Sequence, residues 1–71
     1  MTDTKLLEEA IKKSGFRRRF ISERLSISYQ AFLNKVTGRS EFRASEISAM
    51  CALLSIDAED RETIFFAKTV D

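Results

Sequence analysis

Gln30 and Asn34 stand four residues apart, the spacing that places two side chains on one face of a helix. Each amide donates and accepts at once, which is what the edge of an adenine in the major groove of DNA requires, and Ala31 beside them has the methyl that a thymine methyl packs against. Upstream runs Arg17-Arg18-Arg19, either a clamp for phosphates or the solvated start of a helix. Hydrolytic or transfer chemistry finds no comparable set. Histidine is absent, Cys51 is the sole cysteine, and Glu41, Glu46 and the acid groups near the C-terminus have no partner base and no phosphate loop. No enzyme is expected, nor any metal, cofactor or small-molecule ligand.

The charges favour the same reading. Residues 12–43 hold nine basic side chains against Glu23 and Glu41, whereas residues 1–11 carry one basic and three acidic groups and residues 44–71 two against six. A basic middle between acidic ends is the footprint of a nucleic-acid binder, although the whole chain nets only +1. Seventy-one residues make one domain (1–71) that hides roughly 60% of the surface exposed by its unfolded chain, a thin margin. The lone thiol fits a reducing compartment, the start Met1-Thr2-Asp3-Thr4 has no features of a secretory signal, and no apolar run spans a bilayer. A cytoplasmic protein with no membrane contact is expected.

These side chains need elements to hold them. With no proline, and glycine only between periodic segments, the chain reads as all-α. Leu6, Leu7, Ala10, Ile11 and Ser14 form a first stripe, with Lys12 and Lys13 suited to its last turn and Gly15 to a left-handed stop. A second helix, from about Arg17 to Leu25, turns Ile21 and Leu25 inward, and Phe20 pairs with Phe16 across its entrance. After Ser28, a good N-cap, come Tyr29, Phe32, Leu33 and Val36, ended by Thr37-Gly38 and followed by a basic loop, Arg39 to Arg43. The fourth stripe is Ile47, Met50, Cys51 and Leu54, with Cys51 read as a buried small hydrophobe and Ser45 as the N-cap. Asp57 caps a fifth helix with Ile64, Phe65, Phe66, Ala67 and Val70. Phe65 and Phe66 diverge by more than ~90°, so either one of them, or Phe42 in the basic loop, is open to contact with a second chain, or the chain end folds over both.

Helices 2 and 3 are joined by about three residues, so they cross at a wide angle as a helix-turn-helix over about residues 17–37, with Ser22 small where the two approach. The outward face of the third helix is then Gln30, Ala31, Asn34 and Lys35, with Ser28 and Tyr29 at its N-terminal end. Tyr29 either contacts a base or packs on Leu33.

"FISERLSISYQAFLNKVTGR" resembles the helix-turn-helix of the Cro and phage-repressor (lambda repressor-like, XRE-type) family, in which Leu-Ala-x-x-Leu-Gly-Ile-Ser precedes a polar recognition helix. Ile21-Ser22-Glu23-Arg24-Leu25-Ser26-Ile27-Ser28 takes that place. The similarity continues through "EFRASEISAMCALLSID", covering roughly Leu6 to Phe66. It implies a compact five-helix lambda repressor-like domain, base contacts from Ser28, Tyr29, Gln30 and Asn34, and phosphate contacts around Arg18, Arg39 and Ser40. Arg17, Lys35 and Arg43 join that phosphate set from the basic stretch, and the resemblance implies homodimers on half-sites about one DNA turn apart. Two departures stand out: Ser26 replaces the turn glycine, and Arg17-Arg18 replaces Thr-Gln at the second helix start, removing its hydroxyl cap.

The function expected is therefore a sequence-specific transcriptional regulator acting on double-stranded DNA. With nothing following Asp71, a small Cro-like or prophage-type repressor is expected rather than a two-domain one. The other class is a protein-binding adaptor on the same fold, or a small antitoxin, gripping a partner through the third helix or the Phe-rich end.

Overall fold

The computed structural model describes residues 1–68, in which five helices follow one another without a strand: α1 (Thr4–Ser14), α2 (Arg18–Arg24), α3 (Tyr29–Val36), α4 (Ala44–Leu54) and α5 (Ala58–Phe65). The all-α expectation holds. Val70 lies outside the described residues.

Three of the helices begin at a short polar side chain that accepts an otherwise unpaired backbone N–H. Asp3 Oδ1 takes the amide of Leu6 at 3.0 Å, Ser28 Oγ that of Ala31 at 3.0 Å, and Asp57 Oδ1 that of Asp60 at 2.8 Å. Gly15 ends α1 at φ 77°, its N–H donating to the Lys12 carbonyl, so the left-handed stop is where expected. Chain start and end are tied together: Asp3 N donates to Ile64 O at 2.6 Å and Ala67 N to Met1 O at 2.9 Å.

The α4 start corrects the sequence reading. Its N-cap is Arg43, not Ser45, and the cap is closed from within the helix: Glu46 Oε1 accepts the Arg43 N–H at 2.8 Å. This is half of a capping box, with the glutamate three residues on supplying the acceptor that arginine lacks.

Leu7, Ile21, Phe32, Val36 and Met50 are wholly buried, so α1 through α4 each place at least one side chain in one core, and Ile64 and Phe65 close it from α5. Each such side chain contributes about 1.5–3 kcal/mol by leaving water. Two of the three aromatics expected to offer contact to a second chain belong to this core. Phe42 and Phe65 are buried and meet edge to face, with ring centroids 5.5 Å apart and planes at 86°. The loop after α3 folds its one apolar side chain inward, where the Phe65 edge receives it. Only Phe66 remains open, at 51% exposure, diverging from Phe65 as helix rotation demands. Cys51 is half-buried against the core rather than enclosed; burial pushes its thiol pKa up, with Arg61 pulling the other way. Phe16 and Phe20 do pair, at 5.2 Å, on the surface. No helix among the described residues is long and apolar enough to cross a membrane.

Candidate nucleic-acid interface

The connection between α2 and α3 is Leu25 to Ser28. Leu25 is buried, and the turn is closed by Ser26 N to Glu23 O at 3.0 Å and Ile27 N to Ser22 O at 3.1 Å. Ser26 occupies the left-handed region at φ 59°, a conformation that costs a non-glycine residue on the order of 1 kcal/mol. Ser22 is buried, its hydroxyl donating to the Arg19 carbonyl at 2.8 Å, so no larger side chain separates the helices there.

On α3 the two faces divide by chemistry. Phe32 and Val36 point into the core. Gln30 is exposed and Asn34 half-exposed, and Gln30 Nε2 donates to Asn34 Oδ1 at 3.1 Å. This bond aligns the two amides and leaves the Gln30 carbonyl oxygen and Asn34 nitrogen for another partner. No residue of α3 is acidic. Ser28 is exposed, with its hydroxyl accepting from Ala31. Tyr29 is half-buried and its ring is covered by the Arg19 guanidinium, 4.2 Å from the centroid.

The basic loop is fastened to the end of this helix. The Asn34 carbonyl accepts the amides of Arg39 (2.8 Å) and Ser40 (3.2 Å), so both stand beside the residue whose side chain lies on the outward face. Arg39, Ser40 and Arg43 are exposed residues.

The three consecutive arginines do three different things. Arg17 is exposed and, among the described residues, has no carboxylate in ion-pair range. Arg18 is bonded to Glu8 of α1 at 2.5 Å, with both side chains about four-tenths exposed. Arg19 lies over Tyr29. Along the chain, exposed arginines outside any ion pair among the described residues therefore precede α3 (Arg17) and follow it (Arg39 and Arg43, the last with its charge felt by Glu46).

Lys35 departs from the expected phosphate set. Its Nζ lies 2.5 Å from Glu46 Oε1, and the two side chains are only 12% and 8% exposed. The helix rotation that turns Asn34 outward carries Lys35 toward the start of α4, where Glu46 receives it. Burial pushes the Glu46 carboxyl pKa up, but the Arg43 N–H, the Lys35 hydrogen bond and the charges of Lys35 and Arg43 outweigh that and hold it below the ordinary value. The sequence shows Glu46 only as an acid without a partner base; its role at the α4 entrance is the one that sequence reasoning misses. The available signal is a glutamate directly before the apolar stripe that starts at Ile47, in the third position of a helix.

Among the described residues no three metal-binding side chains gather. Compared with known protein families, curated proteins and solved structures, the chain matches none.

Proposed function

We propose that this protein is a sequence-specific DNA-binding transcriptional regulator with a lambda repressor-like arrangement, in which α2 and α3 are the helix-turn-helix and α3 enters the major groove. The observation that carries the reading is the Gln30–Asn34 amide pair on the acid-free outward face of α3, flanked by Arg17, Arg39 and Arg43. Amides at that spacing read base edges, while flanking cations hold the backbone without regard to sequence. The left-handed Ser26 supports the reading further, because it stands where the resembling motif has its glycine. The biological setting proposed is that of a small Cro-like or prophage-type repressor, cytoplasmic, binding its operator as a homodimer, with exposed Phe66 as the remaining aromatic for the dimer contact.

Selection of bound duplexes from a random pool tests this directly. A two-fold-symmetric consensus is expected, with half-sites about one turn (~34 Å) apart. Gln30→Ala or Asn34→Ala should then lose roughly 1–3 kcal/mol at one or two positions of the site and relax preference there. Unchanged preference in both variants would remove the assignment of the reading face.

A second reading, a protein-binding adaptor or antitoxin, draws on the exposed Phe16–Phe20 pair and Phe66. Salt separates the two. DNA affinity should fall with a log–log slope near −0.9 per phosphate neutralised, whereas an apolar protein contact barely responds.

A further inference from the structure

Lys35 and Glu46 make the more buried of the two ion pairs among the described residues. An ion pair so enclosed adds little net stability over an apolar pair of the same size, because desolvation offsets the attraction. What it supplies that an apolar pair lacks is direction. Glu46 Oε1 binds Lys35 Nζ of α3 and the backbone N–H of Arg43 at the same time, so one oxygen joins the last turn of α3 to the first residue before α4. The other end of the intervening loop is held by the Asn34 carbonyl through the amides of Arg39 and Ser40. Between these anchors Phe42 is sunk against Phe65. The segment Arg39–Arg43 is thus pinned at its start, at its apolar middle and at its end, while both arginine side chains stay exposed.

We propose, resting on the DNA-binding reading, that Glu46 is a positioning residue for sequence discrimination. It withholds Lys35 from the phosphates and fixes the distance between the amides of α3 and the cations of the loop. A lysine released at that point of α3 would touch phosphate on any sequence, raising affinity for all DNA alike. With the link from residue 46 to Lys35 broken, the start of α4 and the Arg43 side chain before it would no longer be held at one distance from α3, even with the Arg43 N–H still capped. Arg43 could then reach phosphates in several registers of the helix, so that correct seating of Gln30 and Asn34 no longer gains the full set of contacts. Both changes reduce the difference between a correct and an incorrect site.

Glu46→Gln is the informative variant, since the amide keeps an acceptor oxygen for the Arg43 N–H and removes the charge that retains Lys35. Binding of the parent and the variant to the selected duplex and to a scrambled one is measured across a salt series. Affinity for the scrambled duplex should rise and its log–log slope steepen by about 0.9, the signature of one added phosphate contact. The ratio of selected to scrambled affinity should fall on the order of tenfold, equivalent to about 1.4 kcal/mol. Destabilisation of the fold alone cannot give this result, because it lowers both affinities together. The double variant Lys35→Met/Glu46→Gln carries no buried charge and keeps the fold if Glu46→Gln does not. It should show the parent's salt slope on scrambled DNA with discrimination still reduced.

Equal losses on both duplexes for Glu46→Gln, or parent-like discrimination in the double variant, would overturn the positioning role while leaving the DNA-binding reading intact. A parent protein that prefers no duplex over another overturns that reading, and this inference with it.

Discussion

The starts of α2 and α4 pose the same chemical problem and receive opposite solutions. Each has an arginine at the N-cap, Arg17 and Arg43, where a short acceptor side chain normally sits. At α4 the helix closes its own entrance: Glu46 reaches back to the Arg43 amide, binds Lys35 as well and is nearly enclosed. At α2 no side chain caps the entrance, and the acid group nearby, Glu8, binds the side chain of Arg18 instead. One entrance is complete within the fold. The other has no side-chain cap and leaves the exposed Arg17 outside any ion pair among the described residues, so under the proposed function Arg17 is available to a DNA phosphate. The contrast separates the part of the basic stretch that holds the structure from the part that is open to a partner.

Removing Glu46 should give the largest effect. Glu46→Ala strands the largely enclosed Lys35 ammonium and orphans the Arg43 amide, for a loss of up to about 3–5 kcal/mol. Against a total stability of about 5–15 kcal/mol, this should be read as a large fall in the thermal midpoint by circular dichroism. The same carboxyl adds an acid limb. Its folded pKa lies below the ordinary 4.5, so its contribution is complete above about pH 4.5 and is lost as pH falls through the lowered native value. Urea midpoints measured from pH 6 downward should decline below 4.5 in the parent and decline less in Glu46→Gln. An acid limb of equal size in both would mean that the carboxylate is not what closes α4.

Arg17→Ser completes the other entrance. A serine hydroxyl at the N-cap should raise stability by about 1 kcal/mol. Under the proposed function it should also weaken binding to all duplexes alike and reduce the salt slope by about 0.9, one phosphate contact fewer. Gain in stability with unchanged binding would leave α2 uncapped for no reason connected with DNA.

This contrast also marks where sequence ceased to be informative. The apolar stripes held because burial and helical period together fix one face: Leu7 and Ile11, Ile21 and Leu25, Phe32 and Val36, Ile47 and Met50 are all buried. The caps Ser28 and Asp57 and the glycine stop after α1 were legible because each acts within four residues of itself. What escaped was mostly non-local. Lys35 and Glu46 are eleven positions apart on different helices, so no periodicity pairs them, and an isolated lysine beside Asn34 reads as solvated. Phe42 stays undecided in the sequence, as one of three aromatics that could be open, because a lone aromatic in a charged loop has no periodic neighbours, and only the position of Phe65 shows that it is core. Of the candidate interface, sequence places Gln30 and Asn34 on one outward face; it does not sort Arg17, Arg18 and Arg19, because the partners of Arg18 and Arg19 come from α1 and α3.

Ser26→Gly sharpens the comparison at the far end of α2. At φ 59° glycine relieves strain on the order of 1 kcal/mol, partly offset by its greater freedom in the unfolded chain. Ser55, the residue that ends α4 at φ 57°, is the matched control, and Ser55→Gly should gain a similar amount. Chemical denaturation of both variants checks this. A gain at Ser55 alone would mean that the Ser26 hydroxyl stabilises the turn by more than its backbone strain costs.

The smallest effect belongs to Glu8→Ala, and it bears on the comparison most directly. Arg18 and Glu8 are as close as Lys35 and Glu46, both at 2.5 Å, so distance alone assigns the two pairs equal worth. Exposure decides otherwise. At 37% and 44% exposure the Arg18–Glu8 charges keep much of their hydration and interact through a high dielectric, for about 0–1 kcal/mol. Glu8→Ala should therefore shift the melting midpoint only slightly, and Arg18, already near water, carries no stranded charge when its partner goes. Under the proposed function the freed guanidinium should steepen the salt slope, as Lys35 does in Glu46→Gln, but without a loss of discrimination, because Arg18 pins no loop. If Glu8→Ala instead costs as much stability as Glu46→Ala, the Arg18–Glu8 pair fastens α2 to α1 as firmly as Glu46 fastens α3 to α4. The α2 entrance would then be a structural joint, and Arg17 alone would remain there to meet an anion.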